Sequence, residues 1–187
     1  MDVPADQDLM LRFRDGHTAA FGELYDRHRG PLYRYFARQT TRASVDDLFQ
    51  ETWMRVIRAK DDYRPDPSFR AYLYRIAHNV LVDHYRREGH ASLPQASDDI
   101  DPIDPAIGPD GQYERAELRA AFAAALERLP AEQREAFLLH EEAGLTLEQI
   151  AAVVGAGRET VKSRLRYAVA RLRETLGARY RAMEELR

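Results

Sequence analysis

The sequence is first informative through what it lacks. It contains no cysteine among its 187 residues, which excludes disulfide bonds and cysteine-ligated zinc sites, so stability must come from packing. No apolar run approaches the roughly 20 residues that a membrane-spanning helix needs. The first ten residues, MDVPADQDLM, carry acids where a signal peptide has a basic region. We therefore expect a soluble cytoplasmic protein with no segment inserted in a membrane.

The chain also lacks an excess of positive charge. Its 28 Lys and Arg residues against 31 Asp and Glu give a formal net charge of −3, whereas a protein that binds DNA is expected to carry a basic surface. The charge is unevenly distributed, however. Residues 158–173 hold six basic residues and one acid, a local charge of 6 − 1 = +5. Any contact with nucleic acid is therefore expected there.

Glycine and proline are sparse except in residues 88–112. That segment also holds five aspartates and no Lys or Arg, which is typical of a flexible acidic linker. The aspartates are Asp98, Asp99, Asp101, Asp104 and Asp110. On either side the apolar residues recur with helical spacing, and no segment of useful length alternates with period two. The sequence therefore predicts an all-α protein with two small helical domains, residues 1–88 and 114–187, joined by a linker at residues 89–113.

Four helices are expected in the N-terminal domain. The first two have predicted breaks near Gly16 and near Gly30-Pro31. The third begins near Ser44, a plausible N-cap. Its predicted core residues are Val45, Leu48, Phe49, Thr52, Trp53 and Val56. The opposite face then presents Asp47, Gln50, Glu51 and Met54.

A fourth helix is predicted from Ser68. Its expected outer face holds Tyr74, Arg75, His78, Asn79, Tyr85 and Arg86. Aromatic side chains that stack on bases, interleaved with cations that hold phosphates, are what single-stranded DNA requires. Tyrosines at helical spacing are also common in cores and at their boundaries, so this pattern alone leaves both interpretations open.

The C-terminal domain carries the pattern of a helix-turn-helix. Thr146 and Gln149 have the spacing of a capping box that starts a short helix. The segment Gly155-Ala156-Gly157 ends that helix, and a second helix begins at Arg158. In a helix-turn-helix the second helix enters the DNA major groove. The alternative is a solvated basic face on an ordinary bundle helix.

Three motifs together resemble the extracytoplasmic-function (ECF) sigma factors of bacterial RNA polymerase. They are DDLFQETWMRV (46–56), FRAYLYRIAHNVLVDHYRR (69–87) and LPAEQREAFLLHEEAGLTLEQIAAVVGAGRETVKSRLRYAVARLRE (129–174). Their order and separation also match, over most of the chain from about residue 9 to 176. The resemblance implies a promoter-recognising subunit that partners core RNA polymerase and promoter DNA. It also implies an anti-sigma factor as a further partner, and neither a cofactor nor a metal.

The resemblance also implies roles for individual residues. Asp47, Gln50 and Glu51 would dock on the coiled coil of the largest polymerase subunit. The loop from Tyr63 to Phe69 would capture a flipped base of the −10 element. The residues expected at that element are Tyr63, Phe69, Tyr72, Arg75, His78, Asn79, Arg86 and Arg87. Those expected at the −35 element are Arg158, Glu159, Thr160, Lys162, Ser163, Arg164 and Arg166. The chain departs from the pattern at Tyr72, where relatives often have Trp, and at Gly157, where they often have a capping Ser.

Two other functions are considered. A stand-alone helix-turn-helix regulator would bind duplex DNA tightly without polymerase. A metal nuclease would need a ligand set from Asp46, Asp47, Glu51, His78, His84 and His90, but the spacing of these residues is unfavourable for one site. Finally, the acidic linker predicts autoinhibition, because tethered aspartates should repel phosphates or screen the basic segment.

Overall fold

The computed structural model describes residues 4–65, 68–89 and 112–184, with side chains in the last range described for residues 118–177. Regular structure in these ranges is helical throughout. The α-helices are α1 Asp6–Arg14, α2 Thr18–Ala37, α3 Arg42–Arg58, α4 Phe69–Arg87, α5 Gln112–Glu127, α6 Ala131–Glu141, α7 Leu147–Val154 and α8 Arg158–Glu184, and a 3-10 turn Lys60–Asp62 follows α3. The predicted all-α class is confirmed, with α1–α4 forming the N-terminal domain and α5–α8 the C-terminal domain. The five linker aspartates lie outside the described residues.

Helix α2 corrects one prediction, because it continues through Gly30 and Pro31. Proline removes one backbone donor and usually breaks a helix. Here Leu24, Leu32 and Phe36 on either side of it are fully buried, and this packing keeps the helix continuous. The predicted break at Gly16 is present, where φ is 98°, a value that favours glycine.

Helix α3 presents the predicted face to the core. Its only tryptophan, Trp53, meets Phe21 edge to face at 5.6 Å between ring centroids, and it also packs on Tyr25 at 5.2 Å. The helix begins at Arg42, two residues before the predicted N-cap Ser44, after an N-cap residue in extended conformation. The N-terminal domain is thus built around an aromatic cluster on the inner side of α3.

Helix α4 begins as predicted at Ser68, whose side chain accepts a hydrogen bond from the backbone of Ala71. The prediction that Tyr74 and Tyr85 face outward is wrong, since they are only 1% and 5% exposed. Tyr74 packs edge to face on Tyr35 of α2 at 5.3 Å. The hydroxyl of Tyr85 donates to the backbone carbonyl of Gln39. Both tyrosines are therefore core residues.

The C-terminal domain contains the predicted helix-turn-helix. Thr146 and Gln149 form both hydrogen bonds of the capping box at the start of α7. Gly155 ends that helix with a φ of 68°, and α8 begins at Arg158. Val161 on α8 is buried against the domain core. Leu118 of α5 is 45% exposed.

The two domains contact each other. Helix α7 packs along α4, and charged side chains near α6 bond to α2 and α4. Among the described helices, none combines the length and the apolar character needed to span a bilayer. The domain contact matters for function because α4 carries most of the residues expected at the −10 element.

Candidate nucleic-acid interfaces

The acidic surface, defined as Asp47, Gln50 and Glu51, lies on the outer side of α3. Asp47 and Gln50 are exposed, and within the described residues neither has a hydrogen-bond or ion-pair partner. Glu51 accepts a hydrogen bond from Arg55 Nε at 2.8 Å. Met54, one turn beyond Gln50, is 43% exposed. This surface offers free acceptors beside an apolar side chain, a combination suited to a basic protein partner.

The outer side of α4 presents four of the polar residues expected at the −10 element. Arg75, Asn79, Arg86 and Arg87 are all exposed. Asp83, within the same Asn-x-x-x-Asp-x-x-Arg-Arg pattern, accepts a hydrogen bond from Arg55 of α3 at 3.1 Å. Arg87 also donates to the backbone carbonyl of Asp83 at 3.3 Å. The pattern thus contains exposed polar side chains and an aspartate that fixes α4 to α3.

Tyr63, Phe69 and Tyr72 form one aromatic cluster at the start of α4. The rings of Tyr63 and Tyr72 are 5.0 Å apart, and Tyr63 and Phe69 are only 1% and 0% exposed. Burial, with smaller contributions from Tyr72 and Asp6, raises the pKa of Tyr63 to about 12. In this conformation the side chains of Tyr63 and Phe69 are held in the core. Part of the expected base-capturing loop, residues 66–67, lies outside the described residues.

His78 is engaged by the C-terminal domain. Its Nδ1 lies 2.6 Å from Oε1 of Glu135 on α6, and its side chain is 15% exposed. The hydroxyl of Tyr35 donates to the same oxygen at 3.0 Å. Burial, together with the charge of Glu135, raises the pKa of Tyr35 well above its ordinary value, so this hydroxyl keeps its proton. Glu135 is therefore a shared acceptor for both helices α2 and α4.

A second glutamate near the end of α6 also reaches the N-terminal domain. Glu142 accepts hydrogen bonds from Arg34 Nε at 2.7 Å and from Arg38. The side chain of Gln149 donates to Ser68 Oγ at 3.1 Å. Sequence reasoning did not identify Glu135 or Glu142, because glutamates on a helix usually indicate a solvated face. No local signal in the sequence could have revealed partners 57 to 108 residues away.

The basic residues at the start of α8 are accompanied by acids; Arg158 and Lys162 are exposed and Arg164 is half-buried. Arg158 pairs with Glu148 and Glu159, Lys162 lies 3.7 Å from Glu159, and Arg164 pairs with Glu132. The side-chain hydrogen bond with Arg158 lowers the pKa of Glu148. The local charge of +5 found in the sequence is thus partly neutralised by glutamates that sit beside it in the fold.

Further along α8 the expected −35 residues remain accessible. Thr160 and Arg166 are exposed, and Ser163 is half-buried. The Arg166 guanidinium lies over the ring of Tyr167 at 5.0 Å from its centroid. Tyr167 itself is 52% exposed. Stacking on an aromatic ring restrains the orientation of an arginine, and here it does so on the exposed side of α8.

The residues considered for a metal site are distributed over separate surfaces. Within the described residues, no three His, Asp or Glu side chains lie together in an arrangement that could hold a metal ion. His90, which belonged to that proposed set, lies outside the described residues.

An N-terminal helical domain with an exposed acidic face, followed by a helix-turn-helix domain, is the architecture of the two-domain transcription factors to which the sequence resemblance points. Comparison with known proteins agrees. Residues 24–91 match the family model of Sigma-70 region 2, and residues 119–172 match that of Sigma-70 region 4.

Similar proteins include ECF RNA polymerase sigma factor SigM of Mycobacterium tuberculosis, 33% identical over 92% of this chain and 85% of SigM. CarQ of Myxococcus xanthus, an RNA polymerase sigma factor, is 31% identical over 90% of this chain and 95% of CarQ. ECF sigma factor SigE of Mycolicibacterium smegmatis is 35% identical, although the chain spans only 62% of its length. The chain therefore belongs to the ECF sigma factors of RNA polymerase.

Solved structures show the same fold. CnrH, in complex with the cytosolic domain of CnrY, superposes with a TM-score of 0.69 at 29% identity, over 94% of this chain and 99% of CnrH. The sigma factor RpoE of Bartonella quintana, in complex with the anti-sigma factor NepR, superposes with a TM-score of 0.64 at 26% identity, over 84% of this chain and 96% of RpoE.

Proposed function

We propose that this chain binds core RNA polymerase and directs it to specific promoters, with no catalytic activity of its own. The observation that carries the proposal is the presence, in one chain, of a region 2 domain and a region 4 helix-turn-helix with exposed polar faces. A stand-alone regulator is disfavoured because it has no use for the region 2 domain.

In this proposal each surface has one role. The acidic surface, which belongs to the N-terminal domain at residues 1–88, docks on core polymerase. Residues of α4 contact the −10 element as single-stranded DNA, with Asn79 and Arg75 presented directly and Tyr63 and Phe69 supporting the loop from inside. The start of α8, in the C-terminal domain at residues 114–187, reads the −35 element as duplex. Residues 89–113 link the domains.

The chain is also proposed to act in the cytoplasm under the control of an anti-sigma factor. NepR is described as the anti-sigma factor bound to RpoE of B. quintana, and the fold similarity to RpoE supports a partner of this kind. A regulator of this type would hold the sigma factor until a signal releases it.

Run-off transcription tests whether the chain directs core polymerase to promoters. Core polymerase is incubated with fragmented genomic DNA, with and without this chain, and transcripts are sequenced. We expect discrete transcripts that depend on the chain and share two upstream elements. Tight duplex binding by the chain alone, with no new transcripts, would favour the stand-alone regulator.

A pair of lysine substitutions tests the docking surface. Because Asp47 and Gln50 are exposed and unpartnered in the described structure, Asp47→Lys with Gln50→Lys should weaken binding to core polymerase without altering helicity. Asp26→Lys, at an acid on α2 whose side chain is 67% exposed and lies 3.5 Å from Arg29, is the control for adding a lysine elsewhere on the domain. Equal affinity of both variants for core polymerase would remove the docking assignment.

A further inference from the structure

The first helix is fixed to α2 by hydrogen bonds around one carboxylate. Asp6, the first residue of α1, accepts a hydrogen bond from Arg27 at 2.8 Å, and its other carboxylate oxygen lies 2.8 Å from Nε2 of His28. Because an ionised carboxylate can only accept, the ring of His28 donates from Nε2. Arg27 also donates to the backbone carbonyl of Pro4 at 2.8 Å. We call Asp6, Arg27 and His28 the α1 anchor.

The α1 anchor lies against the aromatic cluster at the start of α4. His28 is only 5% exposed, and its ring packs on the ring of Phe69 with 5.3 Å between centroids. The ring of Phe69 packs in turn on that of Tyr63 at 6.2 Å. Direct contacts through two rings therefore connect Asp6 to Tyr63.

The other end of α1 supports the chain just before Tyr63. The ammonium of Lys60, in the 3-10 turn, lies 5.4 Å from the centroid of the Phe13 ring, and α1 packs on both this turn and α4. Tyr63 and Phe69 are the two ends of the loop expected to capture a −10 base. Helix α1 therefore supports both ends of that loop, the first through the turn and the second through the α1 anchor.

The polar character of the α1 anchor suits it to fixing geometry. Asp6 and His28 lose contact with water on folding, and this desolvation offsets much of the energy of their hydrogen bond. The hydrogen bond is directional, however, and it fixes the orientation of the ring on which Phe69 rests. A site binds its ligand better when the residues that support it are held in place before the ligand arrives.

We propose that Asp6 and His28 are positioning residues for promoter opening, which hold Phe69 and Tyr63 in place for capture of a −10 base and touch neither DNA nor core polymerase themselves. The role in promoter opening rests on the proposed function. The support that the α1 anchor gives to Tyr63 does not, since it can be measured in the free protein.

The absence of cysteine allows one spin label to report this support. Arg64→Cys places the label at an exposed position beside Tyr63. In this labelled protein Asp6→Ala removes the carboxylate of the α1 anchor, while Arg27 keeps its ion pair with Glu23. The electron paramagnetic resonance spectrum should then show faster motion of the label. Unchanged motion would overturn the proposal.

Two further variants separate positioning from a general effect on α1. Asp8→Ala is the matched control, because Asp8 is an exposed acid in the same first turn and its loss weakens the interaction with the helix dipole in the same way. The label should move no faster in this variant. Asp6→Asn keeps an oxygen that can accept from His28 and should restore most of the restraint. Equal mobility in Asp6→Ala and Asp8→Ala would overturn the role of the α1 anchor, and circular dichroism of each variant distinguishes local motion from unfolding.

Promoter opening tests the consequence for function. Holoenzyme containing each unlabelled variant is mixed with a promoter found by run-off transcription, and unpaired thymines of the −10 element are followed by their reactivity with permanganate. Asp6→Ala should slow opening about tenfold, a change of about 1.4 kcal/mol in the barrier, with unchanged affinity for core polymerase. Asp8→Ala should open the promoter at the rate of the unsubstituted chain.

A second template distinguishes positioning from damage to the whole domain. When the −10 element is already unpaired by mismatches, transcription needs no strand separation, so the loss caused by Asp6→Ala should shrink. An equal loss on both templates, or weaker binding to core polymerase, would overturn the positioning role. If the unsubstituted chain produced no promoter-dependent transcripts, the proposed function would fail instead, and the label measurement would still decide whether the α1 anchor supports Tyr63.

Discussion

The two helices proposed to read promoter DNA, α4 and α8, are both restrained by glutamates, but by glutamates at different distances along the chain. His78 of α4 is held by Glu135 from the other domain, 57 residues away. Arg158 of α8 is held by Glu148 and Glu159, within ten residues. Restraint of α4 therefore depends on how the domains are arranged, whereas restraint of α8 moves with its own domain. Opening the molecule should release α4 and leave α8 unchanged.

The largest expected effect is a difference in stability between the two domains. Trp53→Ala removes the centre of the aromatic cluster beneath α3, and truncation of a buried tryptophan costs about 3 to 5 kcal/mol. The packing of α3 against Phe21 and Tyr25 of α2 is lost, while α8 belongs to another domain. Urea unfolding followed by circular dichroism should show an early transition for the N-terminal domain and a later one for the C-terminal domain. Trp53→Phe is the control, and a single shifted transition would mean that the domains unfold together.

The next effect concerns specificity on α8. If Arg166 contacts a base edge from its place over Tyr167, Arg166→Ala should weaken promoter binding by about 1 to 3 kcal/mol and relax preference at one promoter position. Binding of holoenzyme to a panel of promoter variants measures this. A uniform loss at all promoters, with a smaller salt dependence, would make Arg166 a phosphate contact instead.

A fall in pH should lower the stability of the N-terminal domain. His28 lies 2.8 Å from Asp6, and burial lowers the pKa of His28 below its ordinary value, so the folded state favours the neutral ring. The stability from this shift is present above the unfolded-state pKa of about 6.5 and is lost as pH falls below it. Desolvation alone would raise the pKa of Asp6, but hydrogen bonds and charges from Arg27 and His28 lower it, which adds a further loss at lower pH.

The measurement is urea unfolding at pH 7, 6 and 5, read from the fluorescence of Trp53, the only tryptophan and a residue of the N-terminal domain. Uptake of one proton on unfolding changes the free energy of unfolding by at most about 1.4 kcal/mol per pH unit. His28→Gln should flatten the dependence between pH 7 and 5. An unchanged slope in that variant would show that other groups cause it.

The smallest effect concerns the local restraint of α8. Glu148→Gln removes one of the two acids paired with Arg158 and leaves only Glu159 to compete with a phosphate for it. The slope of log affinity for duplex DNA against log salt should steepen by about one, with no change in the distance between domains. Glu141→Gln is the control. A matching slope for both variants would mean that Glu148 does not restrain Arg158.

Sequence patterns predicted the features of this fold that depend on neighbouring residues. The capping box of Thr146 and Gln149, the start of α8 at Arg158 and the buried side of α3 all arise from spacing within one or two helical turns. The burial of Tyr74 and the roles of Glu135 and Glu142 depend on partners in distant segments. Periodicity carries no information about such partners, and the rule that a Gly-Pro pair ends a helix failed at Pro31, where packing outweighs a local helix breaker. The residue roles at polymerase and promoter remain predictions.

The central claim is that this chain joins core RNA polymerase, and we predict that its two domains, held in contact by Glu135 and Glu142, separate when it does. The direct measurement is the distance between labels at Gly22→Cys and Ala170→Cys, before and after addition of unlabelled core polymerase. A single short distance in the free protein and a longer one in the complex is the predicted result. A distance that stays the same in the complex, with binding confirmed on a gel, would contradict the account.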